Sequence, residues 1–206
     1  MRVAILGGTG VFGRALAARL RDIGEEVTIG SRDEQRAKEI GVVLGVDGAT
    51  NEEAVDGADL IVLSVPSTAA VATARDLADT IGDTPVLCVA SDLRFTENGV
   101  EPGRESRSLA EDIAEILDGP VASGYQSLGA AKLAAPDPPD QDAFVAGDES
   151  AAKELALQLG DRIVGGRAID AGPLANSRGL EAMTSVLLNV NKRYRAHAGL
   201  RITGLP

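Results

Sequence analysis

The chain has 206 residues, 44% of them hydrophobic, and a formal charge of −11. That is apolar material for a real core in one domain, or one domain with a small annex, and no apolar run approaches the length of a membrane span. The negative balance argues against nucleic acid, and with lysine only at 38, 132, 153 and 192 it suits a protein kept soluble in high salt or encoded by a GC-rich genome.

Residues 1–13 read as an apolar strand, Val3 to Leu6, running into a G-x-G-x-x-G loop at Gly8, Gly10 and Gly13. The first glycine permits a tight turn, the second lets backbone approach a pyrophosphate, and the third lets helix and strand pack closely. An amphipathic helix follows with Leu16, Leu20 and Ile23 inward, so the phosphates of a dinucleotide are expected on its free N–H groups. Because the chain opens directly into this strand, no signal or transit peptide is expected and the location is read as cytoplasmic.

The next strand, Glu26 to Ile29, ends in Gly30-Ser31-Arg32, where a dinucleotide fold places the acid that grips the adenosine ribose. No acid stands there, and Ser31 and Arg32 are donors that suit a 2′-phosphate, which points to NADP over NAD. If Asp33 onward is helical, Arg36 converges with Arg32 on one phosphate while Thr9 offers a hydroxyl from the loop. The bland alternative is a solvated face in which Arg32 and Arg36 pair with Asp33 and Glu39.

Gly41 to Gly48 reads as a short connection with a clipped strand, followed by a brief helix at Asn51 to Val55 and an apolar strand at Asp59 to Val65. Helix Thr68 to Ile81, strand Pro85 to Ala90, a polar stretch Ser91 to Arg107, helix Ser108 to Leu117 and strand Val121 to Ser123 come next. Lone Cys88 falls in an apolar run and reads as a buried strand residue. The proline-rich segment Ala134 to Gln141 reads as a surface loop. Beyond it lie strand Ala143 to Ala146, helix Glu149 to Leu159, strand-like Ile163 to Ile169, and a turn at 170–174 into a last long helix. Leu180, Met183, Leu187, Val190 and Tyr194 recur on that helix at helical spacing, as core or as a dimer seam. The alternation predicts an α/β fold, a Rossmann-type doubly wound parallel sheet with a small C-terminal α/β addition. The division expected is a dinucleotide-binding domain at 1–120 and a smaller region at 121–206 that completes an acceptor pocket.

The only histidine, His197, lies near the C-terminus, and no Cys-x-x-Cys or Ser, His and acid set can be assembled. Tyr125 and Tyr194 are followed four residues on by Gly129 and Ala198, so the Tyr-x-x-x-Lys couple of short-chain dehydrogenases is missing. No catalytic side chain and no metal site are therefore expected. A reductase of this composition suits direct hydride passage between two stacked ring cofactors, with catalysis by positioning.

The opening MRVAILGGTG, Gly-Ser-Arg at 30–32, Ser-Val-Pro at 64–66 and Asp-Ala-Gly-Pro-Leu-Ala-Asn-Ser-Arg at 170–178 resemble the NADPH-dependent reductases of coenzyme F420. The resemblance spans most of the chain, and the segment at 170–178 is its most specific part. It implies reversible hydride transfer between NADP and the deazaflavin, in a halophile-like or archaeal setting. By that resemblance Thr9, Gly10, Val11 and Phe12 line the pyrophosphate loop, and Ser31, Arg32 and Arg36 hold the 2′-phosphate. Val65 and Pro66 border the nucleotide at a strand end, with Ser67 and Val71 extending that wall. Where family members carry a Leu-His-Thr-like stretch, this chain has Gly124-Tyr125-Gln126, so Tyr125 is the expected partner of the deazaflavin ring. Arg94, Arg104, Arg107 or Lys132 would meet its phosphate and acidic tail. The partners expected are small-molecule cofactors and a second copy in a homodimer, not a membrane. The rival readings are another acceptor, namely a flavin, a ferric chelate or an imine, and a non-catalytic NADP-binding redox sensor.

Overall fold

A computed structural model describes residues 1–205. Strand β1 (Arg2–Leu6) leads to α1 (Val11–Asp22), β2 (Glu26–Ser31), α2 (Glu34–Leu44), β3 (Asp47–Thr50), α3 (Asn51–Val55) and β4 (Leu60–Leu63). Then come α4 (Ser67–Asp76), α5 (Ala78–Ile81), β5 (Val86–Cys88), the strands β6 (Leu93–Thr96) and β7 (Gly99–Pro102), α6 (Leu109–Ala114) and β8 (Val121–Gly124). The chain finishes with α7 (Ala130–Leu133), β9 (Ala143–Gly147), α8 (Ser150–Ile163), β10 (Ala168–Asp170) and, past a 3-10 turn, α9 (Ser177–Tyr194). No described helix is long and apolar enough to cross a membrane.

Eight strands form one sheet in the order β10-β9-β8-β5-β4-β1-β2-β3. Side chains alternate across each strand, so Val3 and Ile5 of β1 enter one core with Leu16 and Leu20 of α1 and Leu159 and Ile163 of α8. Ala4 and Leu6 enter the opposite core with Ala70 and Ala74 of α4 and Leu109 and Ile113 of α6. Because both faces are covered, β4 is apolar at all four positions, Leu60 to Leu63, and all four are buried. The expected α/β, doubly wound architecture is present.

The sheet is not wholly parallel. Strands β3 to β8 along the order run parallel, but β9 pairs with β8 antiparallel, and β10 then runs parallel to β9. The link from β8 to β9 holds only the single-turn α7 and a loop, so the chain never crosses back to the other end of the sheet. A full crossover through α8 then makes β9 and β10 parallel.

Local boundaries differ in readable ways. Helix α2 continues through Leu44 and stops at Gly45, whose φ of 68° is left-handed, so the expected connection at 41–48 is half helix. The helix expected over 68–81 breaks at Leu77 into α4 and α5. The stretch 91–107, read as loop, contains the β6–β7 hairpin, whose charged residues hide a period of two. Asn189 of α9 holds this hairpin edge, its Oδ1 accepting from Val100 N (3.0 Å) and its Nδ2 donating to Val100 O (2.7 Å). On α9 the expected apolar stripe divides: Leu180 and Leu187 are buried, whereas Tyr194 is 71% exposed.

Candidate functional site

The loop after β1 is fixed by close packing. Gly7, at φ 79°, makes the turn and donates its N–H to Gly30 O at 3.1 Å, so the left-handed residue precedes the first glycine of the motif. A Cβ on Gly8 would lie 2.5 Å from the Ile29 side chain, and one on Gly13 would lie 2.7 Å from Gly7 O. These two glycines let loop, helix and β2 touch. A Cβ on Gly10 would meet only Gly7 O, at 3.2 Å, which leaves its outer face open. Gly10 is also the N-cap of α1, which has no side-chain cap and no acid in its first turn. The N–H groups there are left for an anion.

Beside this loop is a cleft of about 430 Å³ at the carboxyl ends of the parallel strands. The loop contributes Gly7, Thr9, Gly10, Val11 and Phe12, and the end of β2 with α2 contributes Ser31, Arg32 and Arg36. Ser64, Val65 and Pro66 close the side after β4, and Ala69 and Thr73 of α4 form the far wall. The sequence reading named Ser67 and Val71 for that wall. The structure instead turns Ala69 and Thr73 toward the cleft, while Val71 packs on the core beneath α4.

Arg32 and Arg36 have no carboxylate partner among the described residues, in a chain with eleven more acids than lysines and arginines, 31 against 20. The acids that could have neutralised them are engaged elsewhere. Asp33 caps α2 by accepting from Arg36 N at 3.0 Å, and Glu39 accepts from Gln35 at 3.0 Å. Two free guanidinium groups, the Ser31 and Thr9 hydroxyls and a bare helix N-terminus make a donor set that fits a phosphorylated dinucleotide. Among the described residues, the arginines are the only ionisable side chains that line the cleft, and they suit it to orient anionic ligands.

Tyr125 is not brought to the cleft. It adopts a φ of 71° at the end of β8, which directs its ring into the core under α8, where its hydroxyl donates to Ala156 O. Burial pushes its phenol pKa up, and only 1% of the residue is exposed. The neighbouring Gln126 turns the other way, its Nε2 donating to Cys88 O (3.1 Å) and to Ser123 Oγ (2.8 Å). Cys88 is buried, and desolvation pushes its thiol up to about 12, which leaves it inert.

The cations expected for an acidic tail are mostly neutralised. Arg94 pairs with Glu101 (2.7 Å), Arg104 with Asp92 (2.9 Å) and Asp112, and Arg107 with Asp112 (2.9 Å) and Glu115 (2.7 Å). Lys132 has no carboxylate partner among the described residues. The segment 170–178 seats α9: Leu174 N donates to Asp148 at 2.9 Å, Ser177 and Ser108 share a hydrogen bond of 2.6 Å, and Arg178 pairs with Glu111. That arginine holds the Glu111 carboxyl down at about 2. One turn on, buried Glu181 accepts from Leu109 N at 2.8 Å, and desolvation raises its carboxyl to about 7.

The sequence reading placed Asn51 only as the first residue of a brief helix. The structure puts it in the cleft, 8% exposed, with an Oδ1 that has no hydrogen-bond partner. Propensity gives no hint of this, because the side chain becomes significant only once β3 is laid beside β2.

Known proteins resemble the whole chain. A family described as NADP oxidoreductase, coenzyme F420-dependent, matches residues 2–91. The F420-dependent NADP reductase of Methanothermobacter thermautotrophicus is 37% identical over 100% of this chain and 96% of its own length. That of Methanocaldococcus jannaschii is 33% identical over 100% of this chain and 99% of its own. Among solved structures, a protein from Arthrobacter sp. FB24 superposes with a TM-score of 0.87, covering 99% of this chain and 100% of the other. At 24% identity that last likeness shows the fold alone.

Proposed function

The chain belongs to the family of F420-dependent NADP reductases, and we propose that its carboxyl-edge cleft is where the nucleotide lies. The enzyme is an NADP-dependent oxidoreductase that transfers hydride between NADP and coenzyme F420. In this reading the pyrophosphate rests on the N–H groups of Val11, Phe12 and Gly13, against the open face of Gly10. Ser31, Arg32, Arg36 and the Thr9 hydroxyl take the 2′-phosphate. Val65 and Pro66 border the nicotinamide end, with Ser67 at the rim and Val71 supporting α4 from behind.

When bound, the reduced nicotinamide of NADPH would supply a hydride to the oxidised deazaflavin, and in the reverse direction the reduced deazaflavin would supply one to NADP+. What the protein adds is placement. Val65 and Pro66, which line the cleft after β4, would border the acceptor ring and keep water from the reacting faces. Stacking two rings at hydride distance replaces an encounter in solution by a fixed geometry. Residues 1–120 are then the dinucleotide-binding part, and residues 121–206 complete the acceptor side. We take the enzyme to be cytoplasmic, and a homodimer formed through α9 would cover Val186 and Tyr194, which are 58% and 71% exposed.

The observation that carries the assignment is the pair of unneutralised arginines in one cleft of an acidic protein. Replacing both, Arg32→Ala with Arg36→Ala, removes two charge-assisted contacts. NADP affinity should fall about a hundredfold or more while NAD affinity stays within about threefold. Titration with each nucleotide measures this, and an equal loss for both would contradict the assignment. With NADPH and oxidised F420, the same variant should bleach the deazaflavin's visible band at a rate restored only by raised NADPH.

A further inference from the structure

The donors of the cleft match a phosphate, but an adenosine also presents donors of its own, and the usual carboxylate after β2 is absent. Asn51 supplies an acceptor. Its side chain lies across Gly30, where a Cβ would sit 2.9 Å from Asn51 Oδ1. The neighbouring Ser31 lines the same cleft. The oxygen is buried, and no protein group donates to it. A buried acceptor left without a donor costs free energy, so its retention needs a reason.

Helix capping is not that reason. Thr50 caps α3 by accepting from Glu53 N at 3.1 Å, and the Glu53 carboxylate accepts from Thr50 N at 3.2 Å. This capping box is complete without the Asn51 side chain. Nor is charge the reason, since a carboxamide is neutral and leaves the arginine pair free for the phosphate.

We infer that Asn51 recognises the adenosine end of NADP, its Oδ1 accepting a hydrogen bond from a neutral donor there. This rests on the reading of the cleft as the NADP site. The donor is the adenine amine or the ribose 3′-hydroxyl. A carboxamide is shaped for the amine, since its oxygen and nitrogen can meet the amino group and an adjacent ring nitrogen together.

Calorimetric titration of the wild type and Asn51→Ala with NADP and with deamino-NADP, whose base is hypoxanthine, tests the inference. The variant should bind NADP about two- to tenfold more weakly, the worth of one neutral hydrogen bond. Its melting temperature without ligand should not fall, because no hydrogen bond within the protein is lost. If the preference of the wild type for NADP over deamino-NADP collapses in the variant, the amine is the donor. If NADP binding weakens and that preference persists, the hydroxyl is. Unchanged NADP affinity in Asn51→Ala would overturn the inference, as would a loss matched by a lower melting temperature of the free protein. Arg32→Ala serves as the control: it should weaken NADP without altering the adenine preference, and if it weakens nothing, it is the placement of NADP that fails.

Discussion

Gly10 and Gly13 lie three residues apart in one motif yet do different work. At Gly13 an added methyl group would sit 2.7 Å from a backbone oxygen that cannot move aside, whereas at Gly10 it would meet one atom at 3.2 Å and otherwise face the cleft. Gly10 also has φ −76° and ψ 169°, which any residue adopts. Gly13→Ala should therefore destabilise the fold by about 1–3 kcal/mol through overpacking. Gly10→Ala should melt near the wild type yet lose about tenfold or more in NADP affinity, because the methyl group stands where backbone meets pyrophosphate. Thermal unfolding and nucleotide titration of the two variants separate packing from binding. Equal melting temperatures would refute the division. Arg32 and Arg36 show a similar contrast, since sequence spacing alone left open whether they pair with nearby acids, and only the positions of Asp33 and Glu39 answered it.

Between elements, one buried cation connects the nucleotide-binding helix to the far side of the molecule. Arg19 of α1 is 4% exposed and donates to the main-chain carbonyls of Leu133 (3.2 Å), Ala135, Pro136 (3.3 Å) and Asp137 (3.0 Å). Carbonyl oxygens at the end of α7 and along the proline-rich loop thus take the place of a carboxylate. Only a planar fork of N–H groups can reach so many acceptors at once. Arg19→Lys keeps the charge but should cost about 1–3 kcal/mol and expose the loop 134–141 to proteolysis. Chemical denaturation and limited proteolysis measure both effects, and a loop equally resistant in the variant would show that Arg19 does not fasten it. Tyr125 and Gln126 make the same point at the end of β8. One left-handed residue sends the tyrosine to the α8 core and the glutamine to the opposite face, which no pattern of residue types foretells.

Across the whole molecule the charge of −11 is spread over a surface on which many cations are paired with acids, among them Arg94, Arg107 and Arg178. Self-repulsion at low salt should depress stability. Raising ionic strength from about 0.01 M to about 0.15 M shortens the screening length from about 30 Å to about 8 Å, so the melting temperature should climb over that range. A flat or falling curve would mean that the surface ion pairs outweigh the net charge. What the sequence by itself determined were the features carried by neighbours along the chain. The strand-loop-helix start, the Ser31-Arg32 end of β2, the alternation that makes a doubly wound sheet and the likeness of segments such as 170–178 to a known family all lie within short windows. Tertiary structure decided the rest, because it depends on which distant groups meet. The reversal of β9 follows from a link whose one short helix and proline-rich loop stay at the same end of the sheet. The fate of several arginines depends on acids remote in sequence, such as Glu25 for Arg162 and Glu111 for Arg178. Asn51 becomes part of the cleft only because β3 lies against β2, with Gly30 clearing the space its carboxamide fills.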